Sequence, residues 1–299
     1  MNDWRALGVS WRDGSARWEW AGPGGVSRTS PLPVGTELAL AAGADRRCVG
    51  VWRSGRQLAC PTAALIDPAA RGARCASCQT LDRLHSVAAD TSLDDPRPFT
   101  VYLAHHGTVV KVGITAVERG SARLLEQGAL ASTVLSTGPL PAARRCEHLL
   151  GTALGLPDRV TATRKRDARA RPAEPGERAA ALLATAERAH RLPGWPEGQA
   201  RRDPPAVVDH TAAYPLPADG LRPAMAVAPL APGQVLRGTV RCRIGGDLYL
   251  DAPNGDSGRS VLLDTRLLAG WALERAAADA RSSAALTPLE HREDQAPLF

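Results

Sequence analysis

Residues 100–104 and 108–114 alternate side chains with a period of two, and His105-His106-Gly107 between them reads as a hairpin turn. The alternation puts Tyr102 and Ala104 on one face of the first strand, with Val101 and Leu103 on the other. On the second strand Val110, Val112 and Ile114 form the apolar set that belongs in a core. Val109, Lys111 and Gly113 share the opposite face, so the side carrying Tyr102, Lys111 and Gly113 is left for a ligand, and Gly113 permits close backbone approach. After Thr115 a helix is expected from Ser121, its N-cap, through Gln127, with Gly128 ending it. A third strand follows around 133–135, and Pro141 opens a helix that reaches Leu154. In that helix Glu147 shares a face with Ala143, Leu150 and Leu154, which sets a carboxylate on the apolar stripe. A buried acid needs a partner or a metal, and an ion pair with Arg144 or another arginine is the alternative. An alanine-rich helix over 174–192 presents Leu182, Leu183 and Ala186 for packing.

The flanking regions read differently. Segments 16–20, 37–41 and 49–52 lie between Gly, Pro and Asp turns and predict a small β-rich module over 1–96. Residues 193–233 are rich in Pro, Ala and Arg without sustained periodicity, the composition of a linker or an extended surface wrap. Strand patterns return at 235–243, 247–251 and 260–263, with Gly245-Gly246 and Asn254-Gly255 as turns and a helix expected over 265–280. The expected organisation is therefore α+β, with a three-stranded antiparallel core and its helices over 97–192. It is flanked by a β-rich N-terminal module, a C-terminal β module over 234–285 and a flexible tail over 286–299. Small β modules often bind single strands through exposed aromatics, and Tyr249 is the candidate there.

Four of the six cysteines, Cys48, Cys60, Cys75 and Cys78, fall in the N-terminal module. The two-residue spacing of Cys75 and Cys78 lets thiolates from one turn grip a tetrahedral ion, and four thiolates leave no open position on Zn²⁺. The expectation is a structural zinc that staples a sheet with few large apolar residues; a redox CxxC pair and unrelated thiols are the alternatives. A net charge of +6 and a pI near 9.3 lean towards polyanionic partners, although a composition inflated in Ala, Arg, Gly and Pro explains the charge equally. The only two lysines are Lys111 and Lys165. The run Arg164-Lys165-Arg166, with Arg169 and Arg171, fits a nucleic-acid backbone or a solvated loop. No apolar run long enough for a membrane span and no signal-like start are found, so a cytoplasmic protein with no membrane partner is expected.

The order of these features resembles the core of the GIY-YIG nucleases, in degenerate form. In that family two short motifs occupy adjacent strands, an arginine follows on a helix, and a later glutamate binds a divalent ion. Thr100-Val101-Tyr102 looks like the first motif with its glycine replaced, and Lys111-Val112-Gly113 like the second with its tyrosine replaced by lysine. Arg123 matches the arginine, with Arg119 the alternative, and Glu147 matches the metal ligand. The resemblance implies phosphodiester hydrolysis with Mg²⁺ or Mn²⁺ on Glu147, Arg123 stabilising charge, and Tyr102, His105 or His106 positioning or deprotonating water. Lys111 leaves two outcomes open, phosphate binding with cleavage or binding alone. The whole layout, with its Cys-rich front, KVGIT strand and Gln127-Gly128-Ala129, is similar to a bacterial family known only as a domain of unknown function. Gln295-Ala296-Pro297-Leu298-Phe299 resembles the peptide by which bacterial polymerases and repair proteins dock on the sliding clamp, Gln295, Leu298 and Phe299 being its anchors. Docking of this tail on its own domain is the alternative. Together these resemblances imply a protein of DNA repair or replication, with RNA as the other substrate class.

Overall fold

The computed structural model describes residues 4–53, 56–84, 95–251 and 260–289. The chain is α+β with sheet predominating. The N-terminal strands are β1 (Arg5–Arg12), β2 (Ser15–Ala21), β3 (Ser27–Pro31), β4 (Glu37–Arg46), β5 (Val51–Arg53) and β6 (Arg56–Leu58), followed by helix α1 (Ala76–Leu84). The central part comprises β7 (Pro98–His106), β8 (Val109–Ala116), α2 (Ala122–Gln127), β9 (Ala131–Pro139), α3 (Leu140–Leu154), α4 (Ala162–Ala170) and α5 (Pro175–His190). Beyond it lie β10 (Ala200–Arg201), β11 (Val207–Asp209), β12 (Met225–Val227), β13 (Val235–Ile244), β14 (Asp247–Asp251), β15 (Ser260–Asp264), β16 (Trp271–Arg275) and β17 (Leu286–Pro288).

The early and late strands, expected as separate flanking modules, meet in one ten-stranded sheet of order β17-β12-β15-β14-β13-β4-β16-β1-β2-β3. β4 is the junction. It pairs antiparallel with β13 on one side and β16 on the other, so neither the early nor the late strands form a closed unit alone. Their inward residues share one core, in which Trp11, Leu32, Val240, Leu248 and Trp271 are almost fully buried. Pairing through β4 lets the tryptophans of the early strands and the leucines of the late ones bury against each other.

One further expectation is corrected here, and of the two readings of 193–233 the wrap is the one found. Residues 265–280 are not a helix; a short 3₁₀ turn, Thr265–Leu267, leads into strand β16. Trp271 and Leu273 alternate inward there, and pairing with β4 outweighs the helix propensity of the alanines. The 193–233 segment wraps the central sheet and contributes β10 and β11, both paired with β9. Tyr214 anchors it in the core, its hydroxyl donating to the carbonyls of Ala129 and Leu125 at 2.9 and 3.3 Å.

The central sheet has β7 in the middle, flanked by β8 and β9. One face packs Phe99, Val101, Leu103, Val112 and Leu135 against α3 and α5. On α5 Leu182 and Ala186 are buried as expected, whereas Leu183 is exposed. The other face carries Tyr102 and Ala104, which pack with Leu124 of α2 and Ala129. Helix α2 lies between this face and the large sheet, where Leu125 joins the main core. Gly128, in the left-handed conformation with φ 68°, ends it as expected.

Candidate functional site

Two constellations carry chemistry. The first is built where β4 ends. Cys48 follows the β4 terminus, Cys60 follows β6, Cys75 immediately precedes α1 and Cys78 sits in its first turn. Their four sulfurs all lie within 4.8 Å of one another, so the cluster can hold a metal ion. Cys60 Sγ and Cys75 Sγ are 3.8 Å apart. A tetrahedral ion with metal–sulfur bonds of about 2.3 Å sets sulfurs about 3.8 Å from each other. The backbone N–H groups of Gly50 and Cys75 donate to Cys48 Sγ at 3.4 and 3.2 Å, the arrangement that favours a thiolate. Burial pushes the Cys48 and Cys78 thiols up, whereas Cys60 falls to about 6 despite its burial because Thr62 and nearby backbone donors stabilise its thiolate. Gly50 is required where the loop closes: its φ is 72°, and a Cβ there would meet the Leu58 carbonyl oxygen at 1.9 Å.

Arg46 fixes this cluster to the large sheet. It is 1% exposed, and its guanidinium donates to five carbonyls, those of Asp67, Pro68, Ala70, Arg266 and Ala269, at 2.8–3.2 Å. The sequence offers no signal for this role, because Arg46 looks like any other arginine of a basic chain.

The second constellation lies on the Tyr102 face of the hairpin. Tyr102 and Gly113 are cross-strand partners, and a Cβ on Gly113 would stand 2.6 Å from the Tyr102 hydroxyl oxygen. The glycine therefore makes room for the phenol. Lys111 Nζ lies 5.8 Å from the Tyr102 ring centre and donates to the Asp158 carbonyl at 2.9 Å. Arg123 of α2 and Glu147 of α3 are both within electrostatic reach of Tyr102 and of Lys111. The four residues Tyr102, Lys111, Arg123 and Glu147 thus come from four elements into one neighbourhood. Burial is the main reason that the Lys111 ammonium falls to about 8, with Arg123 adding to the effect and Glu147 opposing it. Burial likewise raises the Tyr102 phenol, although the bond from Gln127 works against it.

Gln127 and Lys165 complete this arrangement. The Gln127 side-chain amide donates to the Tyr102 hydroxyl at 2.9 Å, and Lys165 Nζ donates to the Gln127 carbonyl at 2.8 Å. Burial and the neighbouring Arg169, Lys111 and Arg123 lower Lys165 to about 8 as well.

Other expected residues are placed elsewhere. His105 falls on the opposite face of β7 from Tyr102, near Arg178 and Asp209, so alternation separates it from Tyr102 and Lys111. His106 is on the Tyr102 face but 2% exposed; neither ring nitrogen has a hydrogen-bond partner among the described residues. Burial, with Lys165 and Lys111 adding to it, keeps that imidazole neutral. Arg119 is held by Glu126 at 2.5 Å on the surface. The basic run forms helix α4, where Arg164 is exposed, but Arg166 and Arg169 point inward. Arg166 pairs with Asp247 and Asp264 at 2.6 and 3.2 Å, and the 3%-exposed Arg169 pairs with Asp247 at 2.6 Å. These two arginines bind α4 to the large sheet and do not form a surface track. Tyr249 is 1% exposed and offers no stacking face. Gln295, Leu298 and Phe299 lie outside the described residues. No helix among the described residues is long and apolar enough to cross a membrane.

The fold and its sites define an α+β protein with a cysteine cluster fit for a metal at the end of β4 of the ten-stranded sheet, and on the central sheet a polar cluster in which Tyr102 is 1% and Lys111 7% exposed, so that this face is covered rather than open as expected. The chain belongs to the DUF2797 family, described as a protein of unknown function, whose family model matches residues 35–273. That span runs from just before β4 to within β16 and contains both constellations. No curated protein and no solved structure matches the chain.

Proposed function

We propose that this protein acts on nucleic acid, binding a phosphodiester in the Tyr102–Lys111–Arg123–Glu147 cleft and cleaving it on the pattern of the GIY-YIG nucleases. The observation that supports this most is the convergence of a phenol, an amine, a guanidinium and a carboxylate beside Gly113. The order of their elements, two adjacent strands, a helix and a later helix, also follows that family's pattern.

Each side chain has a role that its surroundings favour. Arg123 neutralises a phosphate. Tyr102 accepts from Gln127, which leaves its own proton to donate to a phosphate oxygen or to an attacking water. With its ionisation pushed up, Tyr102 orients water as a neutral phenol, and Lys111, lowered to about 8, is the better proton acceptor near neutral pH. Glu147 would hold Mg²⁺ or Mn²⁺, which when bound supplies Lewis-acid polarisation of a phosphate oxygen. At the four cysteines we assign zinc with a structural role, since four sulfur ligands close its coordination. DNA in repair or replication is the proposed setting, with the tail residues Gln295, Leu298 and Phe299 docking on the sliding clamp.

The replacement of the motif tyrosine by Lys111 favours a second reading, strand binding without cleavage. A panel of branched, nicked and single-stranded DNA and RNA, incubated with Mg²⁺ or Mn²⁺, separates the two. Cleavage lost in Glu147→Ala and Arg123→Ala supports hydrolysis. Binding without cleavage across the panel selects the second reading, and absence of both removes the proposal.

A further inference from the structure

Thirty-five of the 37 Lys and Arg side chains are arginine, and both lysines lie in this one polar cluster, Lys165 reaching it through the Gln127 carbonyl. Arginine serves every other need for fixed positive charge, from exposed surface positions to the buried Arg169–Asp247 pair. Lysine differs in being able to shed its proton and present a nucleophilic lone pair, which arginine does not do in proteins.

The surroundings of Lys111 favour that state. The residue is 7% exposed, and its amine is held by the neutral carbonyl of Asp158. The Asp158 carboxylate is itself 69% exposed and turned to Arg159 at 3.6 Å. Arg123, Arg159 and, on α4, Lys165 stand near enough to oppose a charge on Lys111, and Glu147 and Asp158 favour it. A lysine at about 8 is roughly 10% neutral at pH 7, about 300-fold more than a lysine in water.

We propose that the Lys111 amine is a nucleophile towards an aldehyde carried on a nucleic-acid strand, the ring-opened sugar left where a base has been lost. This rests on the reading that the cleft receives a nucleic-acid strand. The lone pair of Nζ forms a C–N bond to C1′, and the carbonyl oxygen leaves as water with the two amine protons, giving an imine that takes up one proton. A carboxylate, Glu147 being the one beside Lys111, removes a proton from C2′. That electron pair forms the C2′–C3′ double bond as the C3′–O bond breaks and the 3′ phosphate departs. Water then hydrolyses the imine and returns the free amine.

The test is reductive trapping. Metal-loaded protein, in buffer without added Mg²⁺ or Mn²⁺, is mixed with borohydride and an oligonucleotide containing an abasic site, and in parallel with glycolaldehyde phosphate. The expected result is a covalent adduct with both probes, mapped by mass spectrometry to Lys111 and reduced at least tenfold in Lys111→Arg and in Lys111→Met. Thermal melts of both variants show that the loss is not unfolding. An adduct mapped to Lys165 or to the N-terminus overturns the assignment. Anisotropy that shows oligonucleotide binding without any adduct overturns the nucleophile and leaves the proposed function standing. An adduct at Lys111 with glycolaldehyde phosphate alone, without oligonucleotide binding, overturns the nucleic-acid reading and leaves the amine chemistry.

Discussion

Replacing Lys111 by methionine is expected to make the protein more stable at neutral pH and to remove its function. Methionine keeps the length and most of the volume of the buried stem while deleting the charge. Lowering the amine from 10.5 to about 8 corresponds to roughly 3 kcal/mol against the charged native state at pH 7, at about 1.4 kcal/mol per pH unit. The substitution removes that penalty and loses the hydrogen bond to the Asp158 carbonyl, worth about 1 kcal/mol, so the net gain is roughly 2 kcal/mol. The sign follows from the direction of the shift. The folded state releases this proton near pH 8 and the unfolded state near 10.5, so between those values the unfolded chain binds more protons and wild-type stability rises with pH. The advantage of Lys111→Met is therefore full below pH 8 and gone by about pH 10.5. Urea unfolding of both proteins at intervals from pH 7 to 10.5 measures it, and Lys165, present in both, cancels. Destabilisation at pH 7, or a difference that does not change with pH, would refute the desolvated lysine and with it the argument for its reactivity.

Three further outcomes follow from the same geometry. Cys75→Ser should lower bound zinc from one ion per chain to below half occupancy and reduce the thermal midpoint, with metal analysis and melting as the measurements; full occupancy in the variant would exclude Cys75 as a ligand. Arg46→Met leaves five carbonyls without their donor and should cost about 3–5 kcal/mol in urea unfolding, close to what loss of a buried charged partner costs elsewhere. Asp247→Asn should destabilise by a similar amount by stranding Arg169. Because Arg169 and Arg166 hold the Asp247 carboxyl below its usual range despite burial, its contribution is present above pH 4 and is lost as the pH falls through the lowered value, so the variant should show less acid sensitivity than wild type.

What the sequence revealed was local and periodic. The β7–β8 pairing, the faces of Tyr102 and Val112 and the glycine that ends α2 follow from spacing and turn glycines, and the structure has them in place; the turn is tighter than expected, with His105 and His106 inside β7, Ser121 makes no side-chain cap bond, and α3 opens at Leu140, one residue before Pro141. The four cysteines were legible because thiolate spacing is a chemical constraint on its own. The joining of β4 to β13 and β16 was not legible, since nothing in 37–46 says that its partners lie some 200 residues away. The same blindness to long-range pairing made β16 look helical and made Arg166 and Arg169 look like surface charge. Their partner Asp247 lies on another strand, and only the fold brings the three together. Gln127 was visible as a helix end and as part of the Gln127-Gly128-Ala129 segment, with no role attached. Its contact with Tyr102 depends on how α2 crosses the sheet, which the pattern of residues does not encode.

The most direct test of the central claim is a metal-titrated cleavage and binding measurement on one labelled branched DNA, comparing wild type with Glu147→Ala and Arg123→Ala at matched thermal stability. Mg²⁺- or Mn²⁺-dependent strand cleavage by wild type, lost in Glu147→Ala while binding persists and weakened in both binding and cleavage by Arg123→Ala, is the predicted result. Equal behaviour of all three proteins would contradict the assignment of the cleft.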